Sequence, residues 1–183
     1  MFALQACENQ VDKTIHEAND LLFQRKYAEA ERSYRYAAAQ LTEYKYLSSY
    51  YKEQQRWILE HLGEINAVYL YRYPQAVSDY EDLIRLYPGT DEAYQARAAL
   101  ADMYHYKLGD WQRAIEQYQR LLTEFPQHRA GASTRIKLMM TYAQLRNYPQ
   151  VRAEAETLKR MYPNSPEAEQ AQRYIANSYA MEG

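Results

Sequence analysis

Three aromatic-proline pairs, spaced almost evenly, constrain the fold of this chain more than any other feature. They occur in DLIRLYPGTDEA, RLLTEFPQHRAGA and TLKRMYPNSPEAE, and their prolines, Pro88, Pro126 and Pro163, are 38 and 37 residues apart. Self-similarity at a period of about 20 to 50 residues is typical of repeat proteins, in which each unit packs against its neighbours. The sequence therefore predicts an array of similar units.

A second pattern precedes each proline. An aromatic residue is followed three positions later by a small or aliphatic residue, and four positions after that by a tyrosine or an alanine. The four copies are Tyr27, Ala30 and Tyr34; Tyr73, Ala76 and Tyr80; Trp111, Ala114 and Tyr118; and Tyr148, Val151 and Ala155. Spacings of three and four place such residues on one face of a helix. We therefore expect the tyrosines at these positions to fill the gaps between helices.

Helix punctuation divides the chain into pairs of helices. Pro74 and Pro149 suit the first turn of a helix, whereas Pro88, Pro126 and Pro163 follow residues that leave helical geometry. The patterns predict nine helices, at 11–24, 27–41, 44–71, 74–87, 91–107, 110–125, 129–145, 149–162 and 165–181. Helix 44–71 is expected to be unusually long, because the first and second copies are 46 residues apart.

Composition narrows the classes of function. The chain has 22 Lys and Arg against 24 Asp and Glu, a net charge of −2, which excludes the broad positive field of a nucleic-acid-binding protein. Only 5 glycines in 183 residues favour helix. One cysteine allows no internal disulfide, and no apolar run is long enough to predict a membrane-spanning helix.

These residues resemble the tetratricopeptide repeat (TPR). The best copy is LADMYHYKLGDWQRAIEQYQRLLTEFP, at 100–126, with Gly109, Asp110 and Trp111 in the turn and Ala114 and Tyr118 on the second helix. The resemblance covers 11–183 as about four and a half repeats of 37–46 residues. It implies an all-α, TPR-like solenoid of helical hairpins.

The closing segments YPGTDEA and YPNSPEAE resemble the repeats of bacterial envelope proteins, in particular BamD-like outer-membrane assembly lipoproteins. That resemblance implies a non-catalytic scaffold that helps to assemble an outer-membrane complex, such as one handling β-barrel proteins. The alternative is a soluble TPR adaptor that binds a peptide or partner protein, such as a periplasmic cell-division coordinator or a pilus-secretin chaperone.

In this family, the first helices of the repeats line a groove that takes a peptide. The resemblance implies a partner-binding groove formed by Asp102, His105, Tyr106, Lys137, Met140, Arg173, Tyr174 and Asn177. The Lys and Asn arrangement with which chaperone-binding members clamp a C-terminal carboxylate is absent from the matching positions, which disfavours a cochaperone. We expect the aromatic cluster either to form a second partner surface or to pack around the long helix. Its members are Tyr44, Tyr46, Tyr50 and Tyr51.

The single cysteine suggests a cellular address. LQAC, at 4–7, resembles the lipobox of bacterial lipoproteins, in which the cysteine is lipidated and becomes the first residue. This implies lipidation at Cys7, a signal remnant and short tether at 1–10, the repeats at 11–183, and the periplasmic face of the outer membrane. Only six residues precede Cys7 and none is basic, whereas export requires a basic and then an apolar region. If Met1 is the true start, the periplasm or cytoplasm is the alternative.

No pattern of catalytic residues was found. The four histidines lack a second histidine at ligand spacing, and no glycine-rich phosphate loop occurs. His61 and Glu64 are expected to lie on one face of a helix. An exposed ion pair or hydrogen bond between them accounts for this spacing without a metal site. We therefore expect no enzyme activity, no cofactor or metal, and no small-molecule substrate.

Overall fold

The computed structural model describes residues 2–42 and 48–182, with side chains from residue 10 onward. Within that part every regular element is helical, and nine α-helices are present as predicted. They are α1 (Phe2–Phe23), α2 (Tyr27–Thr42), α3 (Ser49–Glu64), α4 (Tyr73–Leu86), α5 (Asp91–Met103), α6 (Trp111–Glu124), α7 (Gly131–Gln144), α8 (Tyr148–Met161) and α9 (Pro166–Glu182). A π-helical turn extends α3 at Ile65–Tyr69 and another extends α5 at Tyr104–Leu108.

The chain forms two compact units, Met1–Ala96 and Arg97–Gly183, with the division inside α5. In the first unit α1 packs on α2, α2 on α3, and α3 on α4. In the second unit α6 packs on α7, α7 on α8, and α8 on α9, while α7 also contacts α9. Each unit thus consists of consecutive antiparallel helices, the arrangement that short connections favour.

The repeated positions form the core of both units. Ala30, Ala76 and Ala114 are fully buried, and the large residues four positions later, such as Tyr34 and Tyr118, are buried too. Because alanine adds little volume, the neighbouring helix can approach closely while the tyrosine fills the remaining space. The repeat tyrosine on the last helix behaves differently: Tyr179 is exposed, and the Arg152 guanidinium covers its ring at 4.6 Å from the centroid.

A buried polar network joins α2, α4 and the first π-helical turn. Asp79 is only 2% exposed, and its carboxylate accepts two hydrogen bonds from Arg35, at 3.0 and 3.1 Å, and one from Asn66 Nδ2 at 2.9 Å. Arg35 also donates to Glu31, which is buried, at 2.6 Å. Burial of these carboxylates is tolerated because each is paired and hydrogen-bonded.

Two helix boundaries differ from prediction. Helix α1 begins at Phe2 rather than at residue 11, so the segment predicted as a tether is helical from Phe2 onward, since it contains neither glycine nor proline. Helix α3 begins at Ser49 because Ser48 caps it, accepting a hydrogen bond from the Tyr51 amide at 3.4 Å. The expected start at residue 44 falls outside the described residues. With its π-helical turn, the helical run ends at Tyr69 rather than at 71.

Each helical pair contains one residue with left-handed backbone geometry in its turn. These residues are Arg25, Tyr71, Gly109 and Arg146, with φ of 59°, 54°, 63° and 53°. In the last turn the Asn147 amide donates to the Tyr142 carbonyl at 2.9 Å, a bond that closes the helix end. Glycine adopts this geometry without strain, whereas a residue with a Cβ does not.

Replacing Arg146 by glycine should therefore stabilise the protein. The relief of left-handed strain, about 1–2 kcal/mol, exceeds the added entropy of an unfolded glycine, about 0.4–1 kcal/mol. We expect the free energy of unfolding in urea to rise by about 0.5–1 kcal/mol.

The matched control is Gly109→Arg, at the same position of the preceding repeat. No atom lies within 4 Å of a Cβ built at Gly109, so only backbone geometry opposes the change. It should lower the free energy of unfolding by a similar amount. Equal stability of both variants and the parent would contradict this account of the turns.

Candidate functional site

An ion pair lies at the centre of the predicted groove residues in the second unit. Lys137 Nζ on α7 is 2.6 and 2.9 Å from the two carboxylate oxygens of Asp102 on α5. The Tyr118 hydroxyl on α6 donates to the same carboxylate at 2.6 Å. Burial raises the pKa of Tyr118, and the Asp102 charge raises it further, so the hydroxyl keeps its proton. Two predicted groove residues are thus brought together, and they neutralise each other.

His105 lies below this face rather than on it. Its side chain is buried, and Nδ1 is 2.8 Å from the Thr141 hydroxyl, which itself donates to the Lys137 carbonyl at 2.7 Å. Because the Thr141 hydroxyl already donates its hydrogen to that carbonyl, it accepts the bond from His105, and Nδ1 carries the hydrogen. Burial lowers the pKa of His105, although the Asp102 charge opposes this. A neutral His105 therefore supports the face by holding α7 against the end of α5.

Tyr106 and Tyr174 give the face an aromatic surface. Tyr106 is 55% exposed, and its ring meets that of His105 edge to face at 4.2 Å. Tyr174 on α9 is half-buried; burial raises its pKa, a hydrogen bond with Gln170 opposes this, and the nearby Tyr106 raises it further. The hydroxyl groups of Tyr106 and Tyr174, 68 positions apart in sequence, therefore lie in the same region of the second unit.

The other predicted residues lie on the same pair of helices. Met140 on α7 is half-buried, while Arg173 and Asn177 on α9 are exposed. Helices α7 and α9 are in contact, and Asn177 lines the same cavity as Tyr174. Met140 adds apolar area, Asn177 adds an amide and Arg173 adds one positive charge.

A cavity that the sequence did not reveal opens beside Tyr174. Its volume is about 200 Å³, and its walls are mostly apolar. It is lined by Ala143, Tyr148, Val151, Tyr174, Asn177, Ser178 and Met181. The turn residues Gly109 and Arg146 are 37 positions apart, and the same offset relates Tyr106 to Ala143. Alanine thus stands where the preceding repeat has a tyrosine. This small side chain at a lining position was the signal that the sequence offered.

The predicted aromatic cluster is described only in part. Tyr44 and Tyr46 lie outside the described residues. Tyr50 is exposed and Tyr51 is buried, with their rings edge to face at 5.0 Å, and both hydroxyls donate to the Asp12 carboxylate at 3.4 Å. Tyr51 therefore packs against α1, and Tyr50 is the described member on the surface.

The predicted lipidation residue, Cys7, lies on α1, but its side chain is outside the described part. Among the described residues, no group of three or more His, Cys, Asp and Glu side chains is placed to hold a metal ion. No described helix combines the length and the apolar character needed to span a membrane.

Comparison with known proteins bears on the fold. The tetratricopeptide repeat family model matches residues 65–129. No curated protein sequence matches the chain. A tetratricopeptide repeat protein from Parabacteroides merdae has a TM-score of 0.70 and 17% identity over 94% of this chain and 61% of its own. This chain therefore spans less than two thirds of that protein.

Two other solved structures are similar. BtubC (BKLC) from P. vanneervenii has a TM-score of 0.62 and 17% identity, over 97% of this chain and 84% of its own. A kinesin light chain structure from Podosopora anserina with nearly identical TPR-like repeats has a TM-score of 0.60 and 14% identity, over 95% and 87%. At these identities the likeness concerns the fold alone. The chain has the TPR-like helical repeat fold.

Proposed function

We propose that this chain is a non-catalytic interaction module that binds an extended segment of a protein partner on the face formed by α5, α7 and α9. The observation that carries the proposal is the cavity beside Tyr174. It is mostly apolar, it opens next to the predicted groove residues, and Asn177 provides an amide at its edge. Such a combination suits a large apolar side chain whose backbone is hydrogen-bonded nearby.

The electrostatics of the face favour the same kind of ligand. Asp102 and Lys137 satisfy each other, so neither offers an uncompensated charge to a highly charged partner. The exposed ring of Tyr106 and the half-buried ring of Tyr174 supply contact area at low entropic cost. The expected partner segment therefore has one apolar anchor and few charges.

Filling the cavity should weaken this binding. Peptides selected from a random phage-displayed library on the wild-type protein should bind Ala143→Tyr at least about tenfold more weakly, because burying one large apolar side chain contributes about 1.5–3 kcal/mol. Tyr106→Ala should weaken binding in the same direction. Fluorescence polarisation of labelled peptides measures both effects.

The matched control is Glu156→Ala, on α8 but outside the cavity lining. Its affinity should equal that of the wild type, and circular dichroism should show that all three variants are folded. Selected peptides that bind Ala143→Tyr as well as wild type would refute the proposed site.

We further propose that the module is a lipid-anchored envelope protein, held by Cys7 on the periplasmic face of the outer membrane, where it helps to assemble an outer-membrane complex. The resemblance of LQAC to a lipobox and of the YPNSPEA-type segments to envelope repeats supports this finer proposal. A diacylglyceryl group with an N-linked acyl chain would anchor it firmly, since each buried CH₂ contributes about 0.8 kcal/mol.

Membrane fractionation tests the anchor. With the native upstream sequence in place, the wild-type protein should sediment with membranes and incorporate labelled palmitate, and Cys7→Ala should do neither. Unchanged fractionation of Cys7→Ala would exclude the anchor and would leave the peptide-binding proposal intact.

A further inference from the structure

The two turns of the first unit meet at an exposed aromatic surface. Tyr27, at the start of α2, stacks on Tyr69 with ring centroids 4.0 Å apart and planes 10° apart. This stack brings the turn between α1 and α2 beside the turn that precedes α4. We call the exposed side chains of these turns the turn patch, which consists of Phe23, Val68, Tyr69 and Tyr71, with Arg25, Lys26 and Arg72.

The apolar members of the turn patch project into solvent. Phe23, at the last position of α1, is 90% exposed, and Tyr71 is 68% exposed. Val68 and Tyr69, which shortly precede Tyr71 in the chain, are exposed as well. Several large apolar side chains grouped in this way mark an interaction surface, whereas single exposed residues do not.

Positive charge surrounds these rings. Arg25 and Lys26 are exposed, and neither forms an ion pair with a described residue. Arg72 is 3.8 Å from Glu31, which is already paired with Arg35. The exposed carboxylates beside these turns are Glu29, on the first turn of α2, and Asp20, on the last turn of α1 and 3.8 Å from His16, so the three cations outnumber them by one. The turn patch therefore favours an anionic occupant.

We propose that the turn patch binds the surface of an anionic lipid bilayer. Phe23 and Tyr71 enter the interfacial layer, and Arg25 and Lys26 contact headgroup phosphates. Aromatic rings and basic side chains together are the combination that favours this layer. A bilayer accommodates projecting rings without a complementary surface, whereas a folded protein would need a matching hollow for each. The shape and charge of the turn patch thus favour lipid over an acidic protein.

This inference goes beyond the proposed function and does not depend on lipidation. Phe23 is 16 residues after Cys7 on the same helix, about 24 Å along its axis at 1.5 Å per residue. An acyl anchor at Cys7 and the turn patch would therefore engage one bilayer together only with α1 lying nearly along its surface.

Vesicle sedimentation tests the proposal on the full chain carrying Cys7→Ser, so that no acyl group contributes. Large vesicles of phosphatidylcholine with 30 mol% phosphatidylglycerol should bind the protein about tenfold more tightly than pure phosphatidylcholine vesicles. The difference should disappear in 0.5 M NaCl, where screening shortens the reach of charge to a few ångströms.

Variants distinguish binding through the turn patch from nonspecific adsorption to vesicles. Phe23→Ser and Lys26→Glu should each weaken binding to the anionic vesicles about tenfold. The matched controls Tyr36→Ala and Arg32→Glu change exposed residues of α2 outside the turn patch and should leave binding unchanged. Absence of binding, or equal losses in the controls, would overturn the proposal. Retention on a polyglutamate resin that Lys26→Glu abolishes, without vesicle binding, would assign the turn patch to an acidic protein segment instead.

Discussion

The close approach of Gly63 on α3 to the ring of Tyr80 on α4 is the contact on which the packing of the first unit depends. A Cβ added at Gly63 would overlap three carbons of that ring. The same constraint holds in the second unit, where a Cβ at Gly131 would overlap the Tyr162 hydroxyl. At Gly63 the absence of a side chain lets the Tyr80 ring lie directly against α3.

The features that could be predicted from the sequence are those that short residue patterns determine. The helices and their buried stripes follow from spacings of three and four and from proline positions, and these predictions are confirmed for α2 and for α4 to α9 within a few residues. Ser48 is a typical capping residue, but the 46-residue spacing between Tyr27 and Tyr73 predicts a longer helix that includes it. The π-helical turns and the left-handed Tyr71 and Arg146 depend on how the chain must turn to pack, so single-residue preferences do not reveal them.

The sequence indicated candidate positions for the site, but not the contacts that their side chains make. Matching positions placed Asp102 and Lys137 on one face, but only the structure shows that they form an ion pair. His105 occupies a predicted groove position and is nevertheless buried, and its ring donates a hydrogen bond to Thr141 on α7. Ala143 lines the cavity from α7, but the other lining residues come from α8 and α9, which only the fold brings beside it. Tertiary contacts therefore decide which of the predicted groove positions are exposed.

The most direct test of the packing account is the stability of Gly63→Ala. Helix propensity alone predicts a gain of about 1 kcal/mol in the free energy of unfolding. Overlap with Tyr80 predicts a loss of about 1–3 kcal/mol. The loss should vanish when the same change is made in a Tyr80→Leu background, because the ring is then gone. A gain in stability in the wild-type background would contradict the claim that close approach of the helices at Gly63 determines how the unit packs.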